Sequence, residues 1–208
     1  MTPALLAGLT GVVQGARHAL EPDHVTAVAT VMVEAPSPRR GVFYAACWGL
    51  GHASMLALVA GPLVLLRVEV PDLLTTILEV AVGAMLVWLG VRTLRQARNP
   101  GPPVEASAPL HVRARKPFAI GVVHGLAGSG ALAALIALGS PTVAAAIAGI
   151  ALYAFGTVIG MVALAALAGP VLARAGRLPR LATTITHAAG VASIVIGVAW
   201  AVRTLAGV

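Results

Sequence analysis

Residues 4–33 read ALLAGLTGVVQGARHALEPDHVTAVATVMV. The run is apolar at both ends and carries Arg17, His18, Glu21, Asp23 and His24 near its middle. As a straight helix at 1.5 Å per residue it would be roughly 45 Å long, against a hydrocarbon core of about 30 Å. A membrane-crossing helix of this length must tilt or break, and Pro22 supplies a break. It has no N–H to give the carbonyl of His18, and its ring clashes with that carbonyl. A break also solves a geometric problem. On a regular helix Asp23 and His24 lie about 140° and 240° around from His18, so the three cannot converge. Unwinding near Glu21 and Pro22 brings them within reach of one point. Irregular backbone at this depth is tolerated where it lines a cavity.

The rest of the chain repeats the pattern of the opening run. It has 208 residues, 59% of them hydrophobic and 10% charged, with a mean hydropathy of +0.94. The charges fall between six long apolar runs, at about 4–33, 41–66, 72–95, 117–139, 141–169 and 181–205. Each is about the length that crosses a bilayer, so we expect an all-α integral membrane protein with six transmembrane helices. A β-barrel would show short alternating segments instead. The start, MTPALLAGLTG, lacks a basic leading region, so no cleaved signal peptide is expected. The single cysteine, Cys47, excludes an internal disulfide and a CxxC redox pair, and with them a membrane electron carrier built on paired cysteines.

The net charge of +7 sets orientation here. With six spans, the first, third and fifth loops share one side of the membrane. They hold Arg39 and Arg40; Arg92, Arg95, Arg98, Arg113, Arg115 and Lys116; and Arg174, Arg177 and Arg180. The other side has Arg67 and Arg203, eleven basic residues against two. The positive-inside rule makes the odd loops cytoplasmic and places both termini outside the inner (cytoplasmic) membrane. The basic loops need no nucleic-acid partner.

Residues 96–116, QARNPGPPVEASAPLHVRARK, form the one long polar stretch and read as a flexible cytoplasmic linker. It divides the chain into a first three-helix repeat, 1–95, and a second, 117–208. GVVQG at 11–15 echoes GVVHG at 121–125, Tyr44-Ala45 and Gly51 echo Tyr153-Ala154 and Gly160, and VRTL at 91–94 recurs at 202–205. Three helices is an odd number, so the second copy enters the membrane upside down. Such inverted repeats bind substrate near the midplane at discontinuous helices. The competing reading is that Gly- and Ala-rich helices look alike in any case. Gly49, Gly51, Gly83, Gly125, Gly128, Gly156 and Gly160 are read as packing residues.

Counted from the cytoplasmic end near residue 34, Asp23 and His24 lie about 15 Å deep. His52, in WGLGHASM of the neighbouring antiparallel helix, lies at about the same depth. Imidazoles with a carboxylate and no thiolate suit a divalent first-row metal, whereas Mg²⁺ and Ca²⁺ prefer oxygen. The alternative is that these histidines and acids merely satisfy one another. His18, Asp23, His24 and His52 are taken as ligands. Arg17 neutralises Glu21 or Asp23, or is simply their structural partner. His124 occupies the repeat position of Gln14, nearer the cytoplasmic face, as a second station on a path. Glu79 and His187 either carry protons or cap helices. Trp48, Trp88 and Trp200 read as packing or interface residues, and Cys47 as a small buried side chain.

HALEPDH at 18–24 resembles the HxxxxDH signature of the nickel/cobalt transporter (NiCoT) family, and GLGHAS at 49–54 is similar to that family's Leu-Gly-His motif in the next helix. Six helices and the stretch VVHGLAGSGAL at 122–132 resemble more closely its UreH-type urease-accessory branch. The resemblance covers most of the chain. It implies a permease that moves nickel or cobalt across the cytoplasmic membrane, with His18, Asp23, His24 and His52 as ligands. Glu21 stands where the family commonly has aspartate. The metal is cargo, and no permanently bound cofactor is expected. No P-loop is present, so the chain is not read as an ATP-hydrolysing enzyme. Two alternatives stay open: efflux of the same metals, and a membrane subunit that docks a metal-delivery or urease-maturation partner. A homo-oligomer is compatible with each.

Overall fold

The structure is a computed structural model that describes residues 3–35, 37–66, 71–99, 109–126, 140–175 and 177–207. Seven α-helices lie among them: α1 Pro3–His18, α2 Pro22–Glu34, α3 Pro38–Leu66, α4 Asp72–Arg98, α5 Leu110–Leu126, α6 Val143–Ala175 and α7 Pro179–Ala206. Four of the seven open on proline, whose fixed φ suits the first turn and whose missing N–H would have no helical partner there. Gly207 closes α7 with φ +69°, a left-handed cap that a Cβ would strain.

Four helical stretches are long and apolar enough to cross a membrane: 38–63, 72–98, 143–175 and 179–206. Large apolar side chains such as Leu58, Leu73, Leu167 and Val202 point outward along them. Water would not tolerate so much exposed apolar surface, and lipid does. The protein is thus an all-α, multi-pass membrane protein. The first apolar run appears as α1 and α2, separated at residues 19–21. The run expected at 117–139 begins as α5, and its remainder, with Gly128, lies outside the described residues. Helix also reaches into the 96–116 stretch from both ends, through Arg98 and from Leu110; residues 100–108 lie outside the description.

Small residues set how the helices meet. A Cβ on Gly15 would fall 2.0 Å from the Tyr153 carbonyl oxygen, and one on Gly156 would fall 2.1 Å from that of Val12, so α1 and α6 touch backbone to backbone. Gly11 against Gly149 and Gly160 against Ala16 continue that contact and show the two helices running parallel. Likewise Gly51 meets Phe118, Gly121 meets Trp48 and Gly125 meets His52, which makes α3 and α5 parallel neighbours. Gly83 meets Gly197 and Gly90 meets Gly190, so α4 and α7 pack antiparallel. Such close approach is how helices associate where lipid removes the hydrophobic drive between them. The apolar interior has one part around Trp48, Leu86, Leu89 and Met161 and a second around Leu56, Ala60, Ile150 and Tyr153.

Candidate metal centre

α1 ends at His18, the residue whose carbonyl Pro22 cannot serve. That carbonyl instead accepts from the Glu21 N–H at 3.0 Å, and the Arg17 carbonyl accepts from Leu20 at 2.9 Å, which tightens the last turn. Glu21 is extended, with φ −64° and ψ 149°, and α2 starts at Pro22. Asp23 and His24 therefore stand in the first turn of a new helix, where the unpaired N–H groups favour a carboxylate. The break brings the His18 and His24 rings to 4.3 Å between centroids.

The neighbouring helices supply two more imidazoles. The His52 ring, from α3, lies 5.1 Å from that of His24 and 5.5 Å from that of His18. The His124 ring, from α5, lies 4.2 Å from that of His24. Close α3–α5 contact makes this possible: a Cβ on Gly125 would fall 2.6 Å from the His52 carbonyl oxygen. His124 Nε2 donates to Asp23 Oδ2 at 2.9 Å. Asp23 Oδ1 lies 3.1 Å from His24 Nδ1, without the alignment of a hydrogen bond. His18 Nδ1 pairs with Glu21 Oε2 at 3.0 Å.

Four imidazoles and a carboxylate thus converge, and Asp23, His24, His52 and His124 are all at most 4% exposed. Five of their polar atoms are buried with no hydrogen-bond partner: Asp23 Oδ1, His24 Nδ1 and Nε2, His52 Nδ1 and His124 Nδ1. Each such atom costs about 1–3 kcal/mol when nothing satisfies it. A cation that accepts lone pairs would do so, and nitrogen donors with one carboxylate suit first-row divalent metals. Two groups of donor atoms fall within 4.8 Å of one another, His18 with His24 and His52, and Asp23 with His24 and His124. Ligands about 2.1 Å from a common ion sit about 3–4 Å apart, so small side-chain rotations close either group.

Other expected residues fall outside this cluster. Arg17 is exposed, and the carboxylates it was expected to neutralise, Glu21 and Asp23, are paired with histidines instead. Glu79 Oε2 accepts from the Thr204 hydroxyl at 3.0 Å, between α4 and α7. His187 Nδ1 lies 2.8 Å from the Thr183 carbonyl of its own helix. Both fit helix-stabilising roles. Two residues read as repeat marker or packing stand at the cluster: the Tyr153 ring is 5.6 Å from that of His18, and the Trp48 ring is 5.8 Å from that of His24 and 5.4 Å from that of His124. Nothing near them in sequence marks this role, which depends on α6 and α5 crossing α1 and α3.

Comparison with known proteins adds two findings. The family model of LysE type translocators matches residues 26–204, a stretch that begins just after His24. The urease accessory protein UreH of Bacillus sp. (strain TB-90) is 31% identical over 208 aligned positions, which span 93% of this chain and 90% of the relative. No solved structure matches.

Proposed function

The chain belongs to the LysE type translocator family, and from that premise we propose that it is a secondary permease carrying divalent nickel, with cobalt as a second cargo, into the cell. A translocator is a transporter rather than an enzyme. The observation that carries the choice of cargo is the cluster of His18, Asp23, His24 and His52, in which the buried, unpartnered atoms of Asp23, His24 and His52 match a first-row divalent cation. The HxxxxDH resemblance supports nickel and cobalt over other members of that series.

Inward transport needs no ATP. A divalent cation entering an inside-negative cell gains about 4.6 kcal/mol per 100 mV, twice the single-charge value. That favours accumulation of about a thousandfold or more. The charge bias of the loops orients the termini outward across the inner membrane, with the 96–116 linker in the cytoplasm.

We read the architecture as six spans in two inverted three-helix repeats, with α1 and α2 together forming the first span and α5 beginning the fourth. Two features support this. Alternating spans make α1 parallel to α6 and α5 parallel to α3, as their glycine contacts have them. Exchanging the halves also maps contacts onto contacts. A shift of 107 residues carries Gly83 onto Gly190 and Gly90 onto Gly197, so the two glycine pairs between α4 and α7 exchange. The Ser193 hydroxyl, 2.7 Å from the Leu86 carbonyl, joins two positions with the same separation.

The test is Ni²⁺ flux into liposomes holding only this protein under an imposed potential. Uptake that rises with inside-negative potential and is lost in His24→Ala is the expected result. Flux equal to protein-free liposomes defeats the permease reading, and flux that appears only with an added soluble partner turns it into a docking subunit.

A further inference from the structure

The donors of the cluster fall into two overlapping groups and are not arranged around one point. Both three-ligand groups include His24 and nothing else in common. Its Nδ1 faces Asp23, 3.1 Å from Oδ1, and both its ring nitrogens are buried without hydrogen-bond partners. His124 is prepared as a ligand in its own right. Its Nε2 lies 2.9 Å from Asp23 Oδ2, so a cation taken between the two would replace the proton they share.

Exposure orders the two groups. The Glu21 side chain is 48% exposed and that of His18 is 18% exposed, whereas His24 and His124 are at 1% and 2%. A charged carboxylate and an imidazole facing lipid would be costly, so this side opens on water. The His18 group lies towards that opening and the Asp23–His124 group lies away from it.

We propose that the cluster is a two-position relay for the transported cation, with His24 as the shared ligand. The first position is formed by His18, His24 and His52, and the second by Asp23, His24 and His124. This rests on the permease reading and specifies how its site works. A neutral imidazole offers one lone pair at a time, so His24 serves one ion, which passes from one position to the other. Two sites of three donors each allow both capture and departure, as conduction requires.

Full-length protein in nanodiscs is titrated with Co²⁺, whose visible bands report the ligand set, and the same variants are assayed for Co²⁺ flux in liposomes. Wild type binds one Co²⁺ per chain. His18→Ala and His124→Ala each still bind one Co²⁺, with different spectra, nitrogen-plus-carboxylate in the first and all-imidazole in the second. Both lose at least about tenfold in flux, and His24→Ala loses binding at both positions. His124→Gln keeps an N–H donor for Asp23, so its folding is secure, and it should behave as His124→Ala. Wild-type spectrum and flux in both His124 variants would overturn the relay while leaving the permease reading intact. Complete loss of binding in His124→Gln, with the protein monodisperse and helical, would overturn it in favour of one merged site. If wild type neither binds nor carries a divalent first-row metal, the permease reading falls, and the relay with it.

Discussion

His24 is where the chemistry of this protein is concentrated. It sits in the first turn of α2, its ring within 5.8 Å of the His18, His52, His124 and Trp48 rings. Ligands that share an ion are coupled, so their losses do not add. His24→Ala should weaken Ni²⁺ binding by at least about a hundredfold, about 2.7 kcal/mol. His52→Ala should cost less, because Asp23, His24 and His124 remain together. The double variant should fall short of the summed effects by about 0.5–3 kcal/mol. Competition titration against a chelator measures all three, and strict additivity would show that the two imidazoles do not meet at one ion. Much at this scale was legible in the chain. Counting helical rise from the cytoplasmic end placed His52 level with His24, because depth follows from position along a helix. Which way a residue faces around the bundle does not follow from counting. His124 was therefore visible as a polar residue at a repeat position, but its pairing with Asp23 depends on α5 lying against α3, a contact between the two halves.

At the scale of helices, a proline and a glycine shape the centre. Pro22 separates α1 from α2 and lets His18 and His24 face one another. Pro22→Ala restores the missing N–H and should let the first span straighten, which swings His18 away. We expect about tenfold weaker Ni²⁺ binding, of the order seen when supporting groups around a metal are lost, with helix content unchanged by circular dichroism. Unchanged affinity would mean that the turn at residues 19–21 is held by packing alone. Gly125 acts across the α3–α5 contact. Its Ala variant would press a methyl against the His52 backbone, destabilise the protein by about 1–3 kcal/mol and move His124 from His24. Gly61, also helical, has nothing within 4 Å of its would-be Cβ, so Gly61→Ala should instead be neutral or stabilising by up to about 1 kcal/mol. Thermal unfolding in detergent ranks the two, and a Gly125→Ala protein as stable as Gly61→Ala would refute the close approach. The sequence marked Gly125 as a packing residue. It did not mark its partner, since small-xxx-small spacing names a face and not what lies against it.

For the whole molecule the deciding question is how many times the chain crosses the membrane and in which sense. Four spans are plain from length and apolarity; the proposed six add α1 with α2 as the first and α5 as the start of the fourth. Glycine contacts bear on the remainder, because parallel neighbours must cross in the same direction and antiparallel ones in opposite directions. The shift that exchanges the α4–α7 contacts is 107 residues, whereas VRTL recurs at a separation of 111. The difference is about one helical turn. In the proposed repeat, packing would therefore set a register about one turn from that of the sequence echoes. Three spans on each side of the 96–116 stretch would put the two termini on one side of the membrane and that stretch on the other. In a Cys47→Ala background, Gly207→Cys should react with an impermeant maleimide added to intact cells. His111→Cys, exposed at the start of α5, should react only after the membrane is permeabilised. Labelling of His111→Cys from outside would reverse the orientation taken from eleven basic residues against two. Labelling of both from outside would require an even number of crossings between them, and the inverted repeat could not stand.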